Sequence, residues 1–159
     1  ESHHDFTSSA AVKSLQESLR RLQTDHVDLL LVHSDGHDQE ILADEEYIET
    51  LLSMKEAGLT RAIGFSGKTP DGSRSAMDWA DVLMIEYHPE DRSHEEVIAE
   101  AGRKQVGVLI KKALRSGHLS PDEALQFLYH DSPVADHITS LVIGSLSLKR
   151  MRANADLLM

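Results

Sequence analysis

An α/β fold built on a parallel sheet follows from three features of the sequence. Apolar runs of strand length alternate with helix-period stretches along the whole chain. The runs are apolar throughout instead of alternating with polar residues, as expected when helices cover both faces of a parallel sheet. They recur about every 20 to 35 residues, a spacing that suits βαβ units. No linker-like stretch breaks the pattern, so one domain over residues 1–159 is expected. Pattern alone leaves two architectures open, a doubly wound open sheet and part of a (β/α)8 barrel.

The elements read in order. "TSSAAVKSLQESLRRL" puts Val12, Leu15, Leu19 and Leu22 on one helix face, with Thr7, Ser8 or Ser9 as its cap. "VDLLLVH" is a buried strand over 27–33, and "SDGHD" after it reads as a polar loop. "DEEYIETLLSMKEAG" is helical, with acids in its first turn and Gly58 at its C-terminal end. A strand is expected over 61–66, followed by a short helix in "SRSAMDWA", and a strand over 82–88. "SHEEVIAEAGRK" opens with a capping box, Ser93 with Glu96, and leads to a strand over 107–112. "SPDEALQFLYH" repeats the device with Ser120 and Glu123, and has Pro121 at the first helical position. A strand over 140–144 and a helix in "LKRMRANADLLM" end the chain.

Composition narrows the function. The 159 residues are 40% hydrophobic, enough for a core. The net charge of −11 argues against nucleic acid or an anionic membrane as a partner, since both call for a basic face. Cysteine is absent, which excludes a disulfide framework and fits a cytoplasmic setting. No apolar run approaches the roughly 18 residues of a membrane span. P-loop and GxGxxG signatures are absent as well.

Five blocks carry a resemblance. "SLQESLRRLQTDHVDLLLVH", "MKEAGLTRAIGFSG", "LMIEYHP", "VGVLIKKALRSGHL" and "ITSLVIGSLSLKRMRANADLL" occur in this order and cover nearly the whole chain. Together they resemble the aldo-keto reductases. The resemblance implies a (β/α)8 TIM-barrel type of fold, of which this chain covers about five βα units, strands four to eight. The chain opens on Glu1 and not on Met, so the first three strands are expected upstream. In the family those strands carry the tetrad's aspartate, tyrosine and lysine, so residues 1–159 alone are not expected to reduce carbonyls.

What the family does then becomes an expectation for named residues. The activity implied is reduction of an aldehyde or ketone, a small-molecule carbonyl substrate, by NADPH, with NAD as the alternative cofactor. His33 matches the tetrad histidine at the end of strand four and would orient the substrate carbonyl by hydrogen bonding. Ser145 and Ser147 precede the last helix, whose free N–H groups favour anions, and Arg150 lies one turn in. The resemblance makes the serine and Arg150 a 2′-phosphate site and Asn154 an adenine contact. Ser66 matches a serine on the nicotinamide carboxamide. The sequence departs from the pattern at three neighbouring positions: Gly67 replaces an asparagine, Met84 a glutamine and Lys111 a stacking tyrosine. Gly144 stands where many members carry a lysine.

Two other readings compete. A reductase-like subunit that binds the cofactor without turnover fits the changes at Gly67, Met84 and Lys111. A barrel metal-dependent hydrolase would use His33, Asp35, His37 and Asp38, with His88 from another strand end. Ligands normally come from several strands, and the other strand ends here are Ser66, Ala113 and Ser145, so no metal is expected. His3 and His4 read as tail residues.

Overall fold

A computed structural model describes residues 5–157 and divides the chain into two compact units, 1–83 and 84–159. His3, His4 and the last two residues of the expected C-terminal helix lie outside the described residues. The parallel strands run β1 (Val27–His33), β2 (Thr60–Ser66), β3 (Val82–Glu86), β4 (Gly107–Lys111) and β5 (Ser140–Val142), adjacent in chain order. The border between the units falls within β3. Among the described residues no helix is long and apolar enough to cross a membrane.

In the first unit, α1 (Ser8–Leu22) starts where Thr7 accepts from the N–H of Ala10. It stops at Gln23, which takes a left-handed conformation (φ 56°) without a glycine to ease it. Only half of the expected apolar face is covered. Leu15 and Leu19 pack with Met54, Val27 and Leu30, whereas Val12 is 36% and Leu22 64% exposed. Strand β1 pairs with β2 in exact parallel register, His33 beside Ser66. Its leucines are half-buried, because β1 lies at the end of the strand order. The expected loop after it contains a short helix, α2 (Asp38–Leu42). Next comes α3 (Glu45–Glu56), capped by Asp44, with Gly58 just past its end at φ 75°.

Helix α4 (Pro70–Ala76) begins three residues earlier than the sequence suggested. Thr69 caps it through the Gly72 N–H, and Pro70 supplies the fixed φ of a first helical position. Gly64 in β2 has no room for a side chain, since a Cβ there would come within 2.1 Å of the Val82 carbonyl oxygen. Lys55 and Asp81 form an ion pair at 2.6 Å, and Asp81 also accepts from the Ile63 N–H.

In the second unit, β3 ends at Glu86, short of the expected His88. Tyr87, fully buried, donates to Glu95 at 2.6 Å and shares a hydrogen bond with Ser132. Helix α5 (Glu95–Arg103) forms, but without the expected capping box. His94 occupies the cap, Ser93 bonds the His94 ring, and Glu95 is held by Tyr87 and Arg92. Helix α6 (Pro121–Gln126) begins at Pro121 as expected, though Ser120 makes no side-chain capping bond. It continues into a π-helical turn over Phe127–Asp131. Strand β5 covers three residues instead of five, and α7 (Leu148–Asp156) follows, capped by Ser147.

Candidate active site

In parallel βα units the residues just past the strands gather at one end, and chemistry collects there. His33 is the last residue of β1 and Ser66 the last of β2, so their pairing in register brings them together at that end. The His33 Nδ1 lies 3.0 Å from the Ser66 hydroxyl. Ser66 is buried, and its carbonyl accepts from the Ser34 N–H at 3.2 Å.

The acidic and histidine residues after β1 divide into separate partnerships. Asp38 is 2% exposed, and its carboxylate accepts from the Lys68 and Thr69 N–H groups and from the Thr69 hydroxyl. Burial pushes this carboxyl up. Hydrogen bonds from Ser34, Thr69 and the backbone of Lys68 and Thr69 outweigh that and hold it below the usual carboxylate range. Asp35 instead pairs with His37 at 3.1 Å on the surface, which raises the His37 pKa. His88, buried in the second unit, has its Nε2 3.8 Å from Glu86. This reach of Asp38 across to the loop after β2 is invisible in the sequence, because 31 residues separate it from Thr69.

The second unit contains a cavity of about 860 Å³, lined by Lys112, Gly144, Ser145, Arg150 and Asn154 among others. Four of the residues singled out from the sequence therefore share one cavity wall. Ser147 stands beside it as the α7 cap, its hydroxyl accepting from the Arg150 N–H at 3.4 Å and its own N–H donating to Ser145 at 3.1 Å. Gly144 faces open space, with nothing within 4 Å of a Cβ. Met84 on β3 and Lys111 at the end of β4 are half-buried, and neither lines the cavity.

Sequence reasoning missed Lys112. It lines the cavity, its ammonium bonds Glu86 at 2.5 Å, and its φ of 53° turns the chain out of β4. Arg115, Ser116 and Gly117 are also left-handed, at φ 45°, 56° and 92°. The only sequence signal was the Lys111–Lys112 pair, which does not say which lysine points where.

The chemistry of this wall suits a nucleotide with phosphates. It offers a helix N-terminus, hydroxyls, a guanidinium and an ammonium in a concave site. The profile of the "Aldo/keto reductase family" matches residues 1–158. L-galactose dehydrogenase of Arabidopsis thaliana is 31% identical over 123 residues, 73% of this chain and 39% of that protein. Methylglyoxal reductase DkgB of Escherichia coli O157:H7 is 47% identical over 58 residues, 36% of this chain and 21% of that protein. Among solved structures, a Pseudomonas aeruginosa protein assigned to the aldo-keto reductases superposes with a TM-score of 0.90 at 34% identity. That match covers 99% of this chain and 59% of the other. The chain thus spans about a fifth to three fifths of the length of these relatives.

Proposed function

The chain belongs to the aldo/keto reductase family, and on that premise we propose that it serves the NADPH-linked reduction of aldehydes or ketones. The observation that carries this reading is the cavity in the second unit, lined by Ser145 just before α7 and by Arg150 and Asn154 within it. These residues fit a phosphorylated dinucleotide. Arg150 can fork onto a phosphate, the Ser145 hydroxyl and the first N–H groups of α7 can donate to it, and Asn154 offers an amide to adenine. When bound, the cofactor supplies the hydride.

His33 has the second role. Its imidazole stands at the mouth end of the parallel strands and donates a hydrogen bond to the carbonyl oxygen of the substrate. That bond orients the carbonyl and stabilises the negative charge that grows on its oxygen. Ser66 is a further contact of the cofactor's carboxamide. Met84, Lys111 and Gly67 are the positions where nicotinamide contacts would differ from the family pattern. The proposed place of action is the cytoplasm, and the lack of cysteine suits a reducing compartment.

The reading is tested by titrating the protein with NADPH and NADH, following cofactor fluorescence. Saturable binding, tighter for NADPH, is expected of residues 1–159, and aldehyde-dependent NADPH oxidation of the full-length gene product. Binding by the full-length product without oxidation of the cofactor by any aldehyde or ketone would favour the non-catalytic subunit. No binding of either cofactor would overturn the reading.

A further inference from the structure

The cavity in the second unit is lined by charge of one sign. Lys112 and Arg150 are its charged residues and no acidic residue is part of the lining, although the chain as a whole carries −11. A concave wall that gathers cations in an acidic chain suits an anion. The two cations come from different elements, Arg150 from α7 and Lys112 from the first position past β4. Lys112 is held there in a left-handed conformation (φ 53°), as is Ser116 on the same wall (φ 56°). Neither residue type favours that conformation, and such strain gathers in segments that serve a ligand.

The Lys112 ammonium already has a partner outside the cavity. It bonds the Glu86 carboxylate at 2.5 Å, and Glu86, at the end of β3, is not part of the lining. The two side chains are 49% and 29% exposed, so water screens the ion pair and keeps it weak. A diphosphate carries more charge and more acceptor oxygens than a carboxylate, and it competes well for an ammonium. The lysine stem is flexible, so the ammonium can change partner while the backbone stays on the wall. Glu86 is not stranded by the exchange, being open to water and 3.8 Å from Nε2 of the buried His88.

We propose that Glu86 and Lys112 form an exchange pair that sets the affinity of the cavity for its ligand: the diphosphate of a dinucleotide takes the ammonium over, and Glu86 competes for it. That the ligand is a dinucleotide rests on the function proposed above. There Arg150 and Asn154, both on α7, take the adenosine end, which leaves Lys112, on another element, to the diphosphate. NADPH and NADH share that group, so the pair tunes the affinity for both and does not discriminate between them. Arg115 provides the contrast. It is ion-paired with Glu90 in the same way, but it does not line the cavity.

The test is a fluorescence titration of the full-length gene product with NADPH and with NADH. Lys112→Met should weaken both by the same factor, roughly five- to thirtyfold, through the loss of one charge-assisted bond. Glu86→Gln should tighten both roughly two- to fivefold, the worth of an exposed ion pair. In the Lys112→Met background Glu86→Gln should change neither. Glu90→Gln, which removes the same charge nearby, should leave both affinities as they are. If Lys112→Met does not fold, Lys112→Asn takes its place, since asparagine tolerates the left-handed backbone. Weaker binding in Glu86→Gln would overturn the proposal, because Glu86 would then steady Lys112 for the ligand. So would a tightening that persists without Lys112, unchanged binding in Lys112→Met, or a loss confined to NADPH. Inorganic pyrophosphate, titrated by calorimetry, separates the exchange pair from the proposed function. If it binds and shows the same pattern of variants while neither cofactor binds, the pair stands and the dinucleotide reading falls. If neither cofactor nor pyrophosphate binds, both fall.

Discussion

Arg150 is the residue on which cofactor choice turns. It lies in the first turn of α7 on the wall of the cavity, where a guanidinium meets phosphate with two donors. Arg150→Ala should weaken NADPH roughly ten- to a hundredfold and NADH far less, since a charge-assisted contact is worth on the order of 1.5–3 kcal/mol. Equal losses in a fluorescence titration of both cofactors would mean that Arg150 does not read the 2′-phosphate. Gly144 offers the opposite experiment. A Cβ there meets nothing within 4 Å, so a lysine should fit without strain. Gly144→Lys is expected to tighten NADPH roughly three- to tenfold through one added cation, an effect that should shrink in high salt. A gain that is the same for NADH would place the new ammonium away from the extra phosphate.

Elements in this chain end where side chains make them end. Thr69 caps α4 at a boundary that no apolar–polar switch in the sequence marks, and Tyr87 is anchored by Glu95 just past β3. The glycines that matter mark close approaches between elements. At Gly64 a Cβ would meet the backbone oxygen of Val82 at 2.1 Å, where β2 and β3 pair. At Gly72 it would meet the Asp38 side chain at 2.3 Å. Backbone cannot step aside as a side chain can. Gly64→Ala should therefore cost about 3 kcal/mol, the top of the usual overpacking range, and Gly72→Ala about 1–2 kcal/mol. Urea midpoints would check the order. If Gly72→Ala proved the more damaging, the Asp38 carboxylate would be more rigidly held than the strand pair.

Over the whole molecule, stability should fall at both ends of the pH scale, for separate reasons. Burial and the bond to Glu95 push the Tyr87 hydroxyl up to about 12. The folded state then holds this proton more tightly than the unfolded chain. The stability it contributes is complete below pH 10 and is lost as pH rises towards 12, on the order of 2–3 kcal/mol. At the acid end the signs reverse. Asp38, Asp91 and Glu95 titrate below their ordinary values, so their contribution is present above those values and is lost as pH falls through the lowered ones. Denaturant midpoints between pH 2 and 12 should show both flanks. Tyr87→Phe should flatten the alkaline flank and Asp38→Asn the acid one; an unchanged alkaline slope in Tyr87→Phe would assign that flank to other groups.

The chain's own letters determine the alternation of five strands with helices, because period and β-branched or leucine-rich runs are local properties that burial merely confirms. His33 and Ser145 sit at or just past strand ends that periodicity marks, whereas Asn154, well inside α7, was singled out only through the family resemblance. Tertiary structure alone decided what these residues touch. The hydrogen bond between Ser66 and His33 depends on the register of β1 against β2, which no single strand contains. Asp38 falls in what reads as a polar loop, yet it is buried, since its partners come from a loop 30 and 31 residues away. Lys112, rather than Lys111, reached the cavity through a left-handed turn that neither lysine's identity announces. The capping box of Ser93 with Glu96 was present in the sequence and unused, because His94 takes the cap position and the Ser93 hydroxyl bonds the His94 ring instead. Local preferences of a few tenths to about 1 kcal/mol select elements, but a buried charge or a charge-assisted hydrogen bond is worth more and overrides them wherever folding brings distant groups together.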